Sequence, residues 1–271
     1  MSDLNLTPIL DHKDHGSPSV FTAENLLREA RRQKNIPHGK VPQICLLDPD
    51  GDLVQHLRST GQAQINPFWA CYHTQMYEFT YDGIQFGVVG CAVGASFAVL
   101  VAEEMFASGC ELLISITSAG QIAKIAEPPY FFLIERALRD EGTSYHYLPP
   151  SNYCEMNPVI RKALTLAFQP FEASMRFGAS WTTDGPFRET ETAIRFAESE
   201  GILGVEMEAA ALYAFAQAKC KAVICIAQIT NQMARIENDF EKADGHLDAL
   251  KVASIIATEA LTGRLSASLT Y

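Results

Sequence analysis

Five short apolar runs, each continuous rather than alternating, constrain the fold of this chain more than any other feature. They are Ile44 to Leu47, Ile84 to Ala92, Leu112 to Thr117, Phe131 to Ile134 and Ala222 to Ile229, rich in Val, Ile and Phe. A strand with one wet face alternates apolar and polar residues, whereas a strand covered on both faces does not. Helical patterns separate these runs: Ser96 to Ala107, Val159 to Phe168, Glu189 to Glu200, Glu206 to Ala218 and Leu247 to Leu261. The alternation predicts an α/β fold, a three-layer α/β/α sandwich with a central mixed, mostly parallel sheet. At 271 residues the chain is long enough for one sizeable core, expected over residues 41–271.

Residues 1–40 read differently. Asp11 to Gly16 is polar, and a short amphipathic helix is expected from Thr22 to Lys34, with Thr22 as N-cap and Leu26, Leu27 and Ala30 on one face. His12 and His15 have no nearby Cys and fit a solvated arm better than a metal site.

The net charge of -11 argues against a nucleic-acid surface, which needs clustered Lys and Arg. No run of about 18 uncharged apolar residues predicts a membrane span. The opening Met1-Ser2-Asp3-Leu4-Asn5 has no basic or apolar leader character. Seven cysteines, odd in number and never in a CxxC pair, read as thiols of a reducing compartment, so a cytoplasmic location is expected.

Four segments carry candidate chemistry. Val88 to Ser96 is a strand running into a helix through Gly90 and Gly94, where small residues let a ligand approach backbone N–H donors. Close strand–helix packing accounts for those glycines equally well. Leu112 to Gln121 ends in Thr117-Ser118-Ala119-Gly120, hydroxyls and a glycine at the carboxyl end of a strand, where α/β sheets place ligands. Ordinary turn chemistry is the other account. In Trp181 to Thr190, Phe187 offers a face to a planar base, and Arg188 a planar fork to a phosphate or carbonyl. Finally, Gly204-Val205-Glu206-Met207-Glu208-Ala209-Ala210 sets two carboxylates around a Met ahead of an Ala-rich helix. They suit either a pair of sugar hydroxyls or a helix N-terminus that favours acids.

Together these segments resemble the purine nucleoside and uridine phosphorylase superfamily from about Ile44 onward. Gly204 to Ala210 is similar to its V-E-M-E-x-A ribose motif, and Gly90 to Met105 to its glycine-rich segment with paired acids, here Glu103 and Glu104. Thr117 to Gly120 resembles its phosphate loop, and Thr183 to Glu189 its base loop.

The resemblance implies a pentosyltransferase that cleaves a nucleoside with inorganic phosphate as co-substrate and no cofactor or metal. It implies a catalytic domain over 41–271 and a homo-oligomer, a dimer or hexamer. Glu208 would hold the ribose hydroxyls, with Met207 under the sugar and Glu206 beside it. Gly94, Thr117, Ser118, Ala119 and Gly120 would line the anion site. Phe187 would stack on the base, and Arg188 and Asn231 would bond it. Asn231 stands where purine-specific members place an Asp, which leans toward a pyrimidine or 6-oxopurine, because an amide bonds a carbonyl but is no acid.

Three departures concern the phosphate. Family arginines are replaced by Ser115, by Gly51 in Leu47-Asp48-Pro49-Asp50-Gly51, and by the Tyr72-His73 stretch. Arg188 or His73 would have to supply the missing cation. Two alternatives therefore stand beside phosphorolysis: a hydrolytic nucleosidase, with Asp50 or Glu206 activating water, and a non-catalytic nucleoside-binding protein.

Overall fold

A computed structural model of the chain describes residues 7–171, 175–231, 246–263 and 265. In chain order the elements begin with α1 (Ala23–Lys34), β1 (Ile44–Asp48), α2 (Asp52–Ser59), β2 (Gln64–Ile65), β3 (Met76–Tyr81) and β4 (Ile84–Gly90). Next come α3 (Ala95–Ala107), β5 (Leu112–Gln121), β6 (Tyr130–Asp140), β7 (Tyr153–Glu155), α4 (Pro158–Phe168) and β8 (Met175–Thr183). The last are α5 (Glu191–Ser199), β9 (Ile202–Glu206), α6 (Ala209–Lys219), β10 (Ala222–Asn231) and α7 (His246–Leu261).

The five apolar runs are all strands of one mixed sheet. β1 lies between β4 and β5, parallel to both, and all five of its residues are buried. The longest ladders, β5 with β10 and β6 with β8, are parallel, while β10 with β6, β5 with β9 and β3 with β4 are antiparallel. Because β10 pairs with both β5 and β6, strands β5, β9, β8, β6 and β10 close on themselves, and β1, β4, β3 and β2 extend from β5 as an open wing. Helices α1, α3 and α6 pack in one group, and α2, α4 and α7 in another. α6 is buried through Ala209 to Ala216, so an all-round apolar sequence marks a central helix.

Several sequence boundaries shift. β5 continues as strand through Gln121, so the Thr117–Gly120 segment is the end of a strand, not a loop. The helix expected from Glu206 starts at Ala209, and Glu206 is the last residue of β9. α2 and strands β2, β3, β7, β8 and β9 were not among the expected elements. Met175 to Thr183, for example, mixes Arg, Gly and Ser with apolar residues and gains its strand character only from β6 and β9 on either side.

The N-terminal helix behaves as its sequence implies. Thr22 Oγ1 accepts the Asn25 N–H at 3.3 Å, and Leu27 and Ala30 are buried with Ala70. Arg31 donates to the Phe68 carbonyl at 2.6 Å and Lys34 to that of Cys71 at 2.6 Å, tying the helix to the body. In the arm before it, His12 is exposed, and His15 Nε2 lies 3.1 Å from the Tyr145 carbonyl. All seven cysteines are free thiols, five of them buried. Among the described residues, no helix is long and apolar enough to cross a membrane, and no cluster of His, Cys, Asp or Glu is arranged to hold a metal.

Candidate functional site

The carboxyl ends of β1, β4, β5 and β9 converge on Glu208. It follows Met207 after the end of β9 and stands at the N-terminus of α6, with 2% of its surface exposed. Its Oε1 accepts the Gly94 N–H at 2.7 Å, and its Oε2 the Thr117 hydroxyl at 3.1 Å. Gly94 reaches that position with φ at 93°, a left-handed backbone that a side chain would strain. Each Glu208 oxygen accepts one bond, leaving lone pairs for two further donors. Burial first, then the neighbouring Glu206 charge, push the Glu208 carboxyl up to about 8, against the pull of Gly94 and Thr117.

Glu206 is different in kind. Its Oε1 accepts the hydroxyls of Ser180 at 2.9 Å and Thr182 at 2.5 Å. Its Oε2 accepts the N–H groups of Glu208 and Ala209, each at 2.7 Å. Thr182 also accepts the Ala210 N–H at 2.9 Å. Glu206 therefore ties β8 to the first turn of α6 and satisfies the helix N–H groups there. Burial raises its pKa, and the four hydrogen bonds act in the opposite direction. A side chain with this many internal donors has little left for a sugar, so Glu206 is a support for Glu208. Sequence reasoning missed Ser180 and Thr182, whose role depends on a strand it did not identify.

The expected anion donors are occupied by the chain itself. The Gly94 N–H is taken by Glu208, and the Ser118 N–H donates to Asp50 Oδ2 at 2.8 Å. Ser118 and Asp50 are exposed, Thr117 and Ala119 buried, and Gly120 half-buried. Beside Asp50, Asp48 is 5% exposed and accepts the Val54 N–H at 2.9 Å, which anchors the start of α2. Burial, followed by the charges of Asp50 and Asp52, pushes Asp48 up to about 7. Asp48 was not among the expected site residues, although the Asp-Pro-Asp-Gly run after an apolar strand is a visible signal.

The arginine positions are closed. Gly51 has φ at 82°, and a Cβ there would lie 2.5 Å from Cys91 Sγ. Ser115 is buried between Leu47 and Cys225, its hydroxyl without a partner. His73 is exposed, its ring edge-on to Phe97 at 6.4 Å.

The base-side residues are less closely gathered. Phe187 is 98% exposed on a 3-10 turn, Pro186–Arg188, directly after β8, and Arg188 is exposed beside it. Met207 is half-buried between the two glutamates. The backbone of Asn231 pairs with Gly120 at the end of β10, and its side chain lies outside the described residues. Of the paired acids, Glu103 accepts the Tyr147 hydroxyl at 2.5 Å, while Glu104 is buried with neither oxygen hydrogen-bonded and its pKa raised by burial. A cavity of about 360 Å³ lies elsewhere, lined by Phe21, Phe106, Phe215, Lys219 and Lys221 among others.

Comparison with known proteins gives the family and the fold. The family model described as the phosphorylase superfamily matches residues 43–263. A uridine phosphorylase of Thermococcus kodakarensis is 25% identical over 240 residues, 82% of each chain. The crystal structure of uridine phosphorylase from Vibrio fischeri ES114 superposes with a TM-score of 0.66 at 19% identity, covering 93% of this chain and 98% of that one. The same enzyme complexed with 6-hydroxy-1-naphthoic acid gives 0.62 at 18% identity, covering 83% and 90%. At these identities the two crystal structures share the fold.

Proposed function

Because the chain belongs to the phosphorylase superfamily, we propose that it is a pentosyltransferase of the nucleoside phosphorylase type, acting on a pyrimidine or 6-oxopurine nucleoside with phosphate as co-substrate. The observation that carries this reading is the Glu208 carboxylate. It is buried, fixed by Gly94 and Thr117, supported from behind by Glu206, and left with acceptor capacity for a vicinal diol.

Cleavage passes through an oxocarbenium-like sugar. Glu208 positions the ribose by accepting its hydroxyls, beside Gly94 and Thr117. Phe187 supplies a stacking face, and Arg188 and Asn231 supply donors to the departing base. Phosphate would enter beside Thr117 to Gly120. No cofactor is needed for this chemistry.

The same reading makes the protein a cytoplasmic homo-oligomer whose neighbouring subunit completes the site near His73. Exposed Tyr72, Val93 and Leu100 lie along that stretch and the start of α3, which supports a contact there.

The experiment is nucleoside cleavage with phosphate titrated from none to millimolar and the sugar product identified. Ribose 1-phosphate, formed at a rate that saturates in phosphate, is the expected result. Nucleoside binding without turnover under any condition would overturn it in favour of a binding protein.

A further inference from the structure

We infer that Asp50 is a specificity-determining residue for the nucleophile: its carboxylate occupies the anion slot, and phosphate reacts only by displacing it. This rests on the glycosidic-cleavage reading above and concerns only which oxygen attacks C1′.

Ser118 provides the backbone N–H at the exposed end of β5, and that N–H donates to Asp50 Oδ2 at 2.8 Å. A phosphate oxygen bound there would need the same donor. The other backbone donor assigned to the anion, the Gly94 N–H, is held by Glu208 at 2.7 Å. Both donors thus already carry a carboxylate, and the surrounding charge has the same sign. The charges of Asp50 and Asp52 act on Asp48 across the β1–α2 turn, and that of Asp50 acts on Glu208. Gly51 brings no cation to the turn: its backbone is left-handed, and a Cβ there would lie 2.5 Å from Cys91 Sγ. A dianion at the Ser118 N–H meets the like charge of Asp50 and has to replace its hydrogen bond. Asp50 and Ser118 are both exposed, so the carboxylate is free to turn out to solvent without disturbing the core.

Two outcomes follow for the reacting sugar. With phosphate in the slot, a phosphate oxygen forms the bond to C1′, the C1′–N bond breaks with its electron pair going to the base, and ribose 1-phosphate results. With Asp50 in the slot, a water held by its carboxylate forms the C1′–O bond and gives its proton to Asp50. The base again leaves with the C1′–N electron pair, takes a proton from solvent, and the product is free ribose. Asp50 therefore favours hydrolysis at low phosphate and raises the phosphate concentration needed for phosphorolysis.

The test uses the full chain and two readouts. Calorimetric titration of inorganic phosphate needs no turnover: Asp50→Ala should bind phosphate at least about tenfold more tightly than the wild type, with Asp50→Asn in between because its amide oxygen still accepts the Ser118 N–H. In turnover at fixed millimolar phosphate, the ratio of ribose 1-phosphate to ribose should rise at least about tenfold in Asp50→Ala. Phosphate affinity that is unchanged or weaker in both folded variants overturns the inference, as does a wild type that forms only ribose 1-phosphate at low millimolar phosphate. A wild type that neither binds nor cleaves nucleosides overturns the functional reading instead, and the phosphate titration still decides the role of Asp50.

Discussion

The proposed sugar half and the proposed anion half of this site adjoin at Thr117 and Ser118 yet are built on opposite principles. Around Glu208 every group has a partner: Glu206 takes four donors, Thr182 links β8 to α6, and Gly94 and Thr117 aim the carboxylate. At Asp50 a donor proposed for the ligand, the Ser118 N–H, is held by an exposed side chain, and the positions where the family resemblance expects arginine include a buried serine and a left-handed glycine. The lesson is that a pocket retains an acid most firmly when burial and hydrogen bonds make it part of the fold. An anion site that depends on charge at the protein surface is open to change at little structural cost.

The comparison breaks most visibly at Glu206. Glu206→Ala leaves the Glu208 and Ala209 N–H groups unpaired in the interior, a loss of about 3 kcal/mol or more. The melting temperature should fall by roughly 6–12 °C in a chain of this size. A fall of less than about 2 °C would show that Glu206 does not hold β8 to α6.

Glu208→Ala should do the reverse. Transition-state stabilisation lost with a hydrogen bond to the sugar is about 2–4 kcal/mol, a drop in kcat/KM of roughly thirty- to a thousandfold, with a smaller fall in melting temperature than Glu206→Ala because two bonds rather than four are lost. An unfolded variant that keeps its activity per folded molecule would make Glu208 a structural acid like its neighbour.

Phe187 lies outside both halves and is exposed, so Phe187→Ala should leave stability alone. It should weaken binding of several nucleosides alike, by about 1–3 kcal/mol for a lost stacking face. Unaltered KM values across pyrimidine and purine nucleosides would remove Phe187 from the site.

The last test, at Asp48, sharpens the contrast through pH. Folding raises its pKa from the ordinary 3.8 to about 7, so the native state disfavours the ionised form. Stability is then lost as pH climbs from about 4 through 7, and the loss is complete above 7. Asp48→Asn keeps an acceptor for the Val54 N–H and removes the charge. It should match the wild type near pH 4 and melt a few degrees higher at pH 8. Identical melting curves at both pH values would mean that Asp48 carries no buried charge.

Much of this protein was legible from composition and pattern alone. Continuous Val, Ile and Phe runs declare strands covered on both faces, and Thr22 ahead of an amphipathic run declares a helix start, because these are local consequences of burial and capping. The Glu206-Met207-Glu208 segment stood out for the same local reason, two acids before an alanine helix, a pattern that suited a sugar site and a helix N-terminus equally. The tertiary structure alone decided which of two buried glutamates keeps acceptor capacity and which is fully bonded into the fold. Ser180, Thr182 and Thr117 come from strands far away in sequence, and only their convergence divides the labour between the two acids. The closure of β10 onto both β5 and β6, and the contact of Asp50 with Ser118, were hidden for the same reason. Both join residues that no spacing rule connects, and they exist only once the sheet has brought strand ends together.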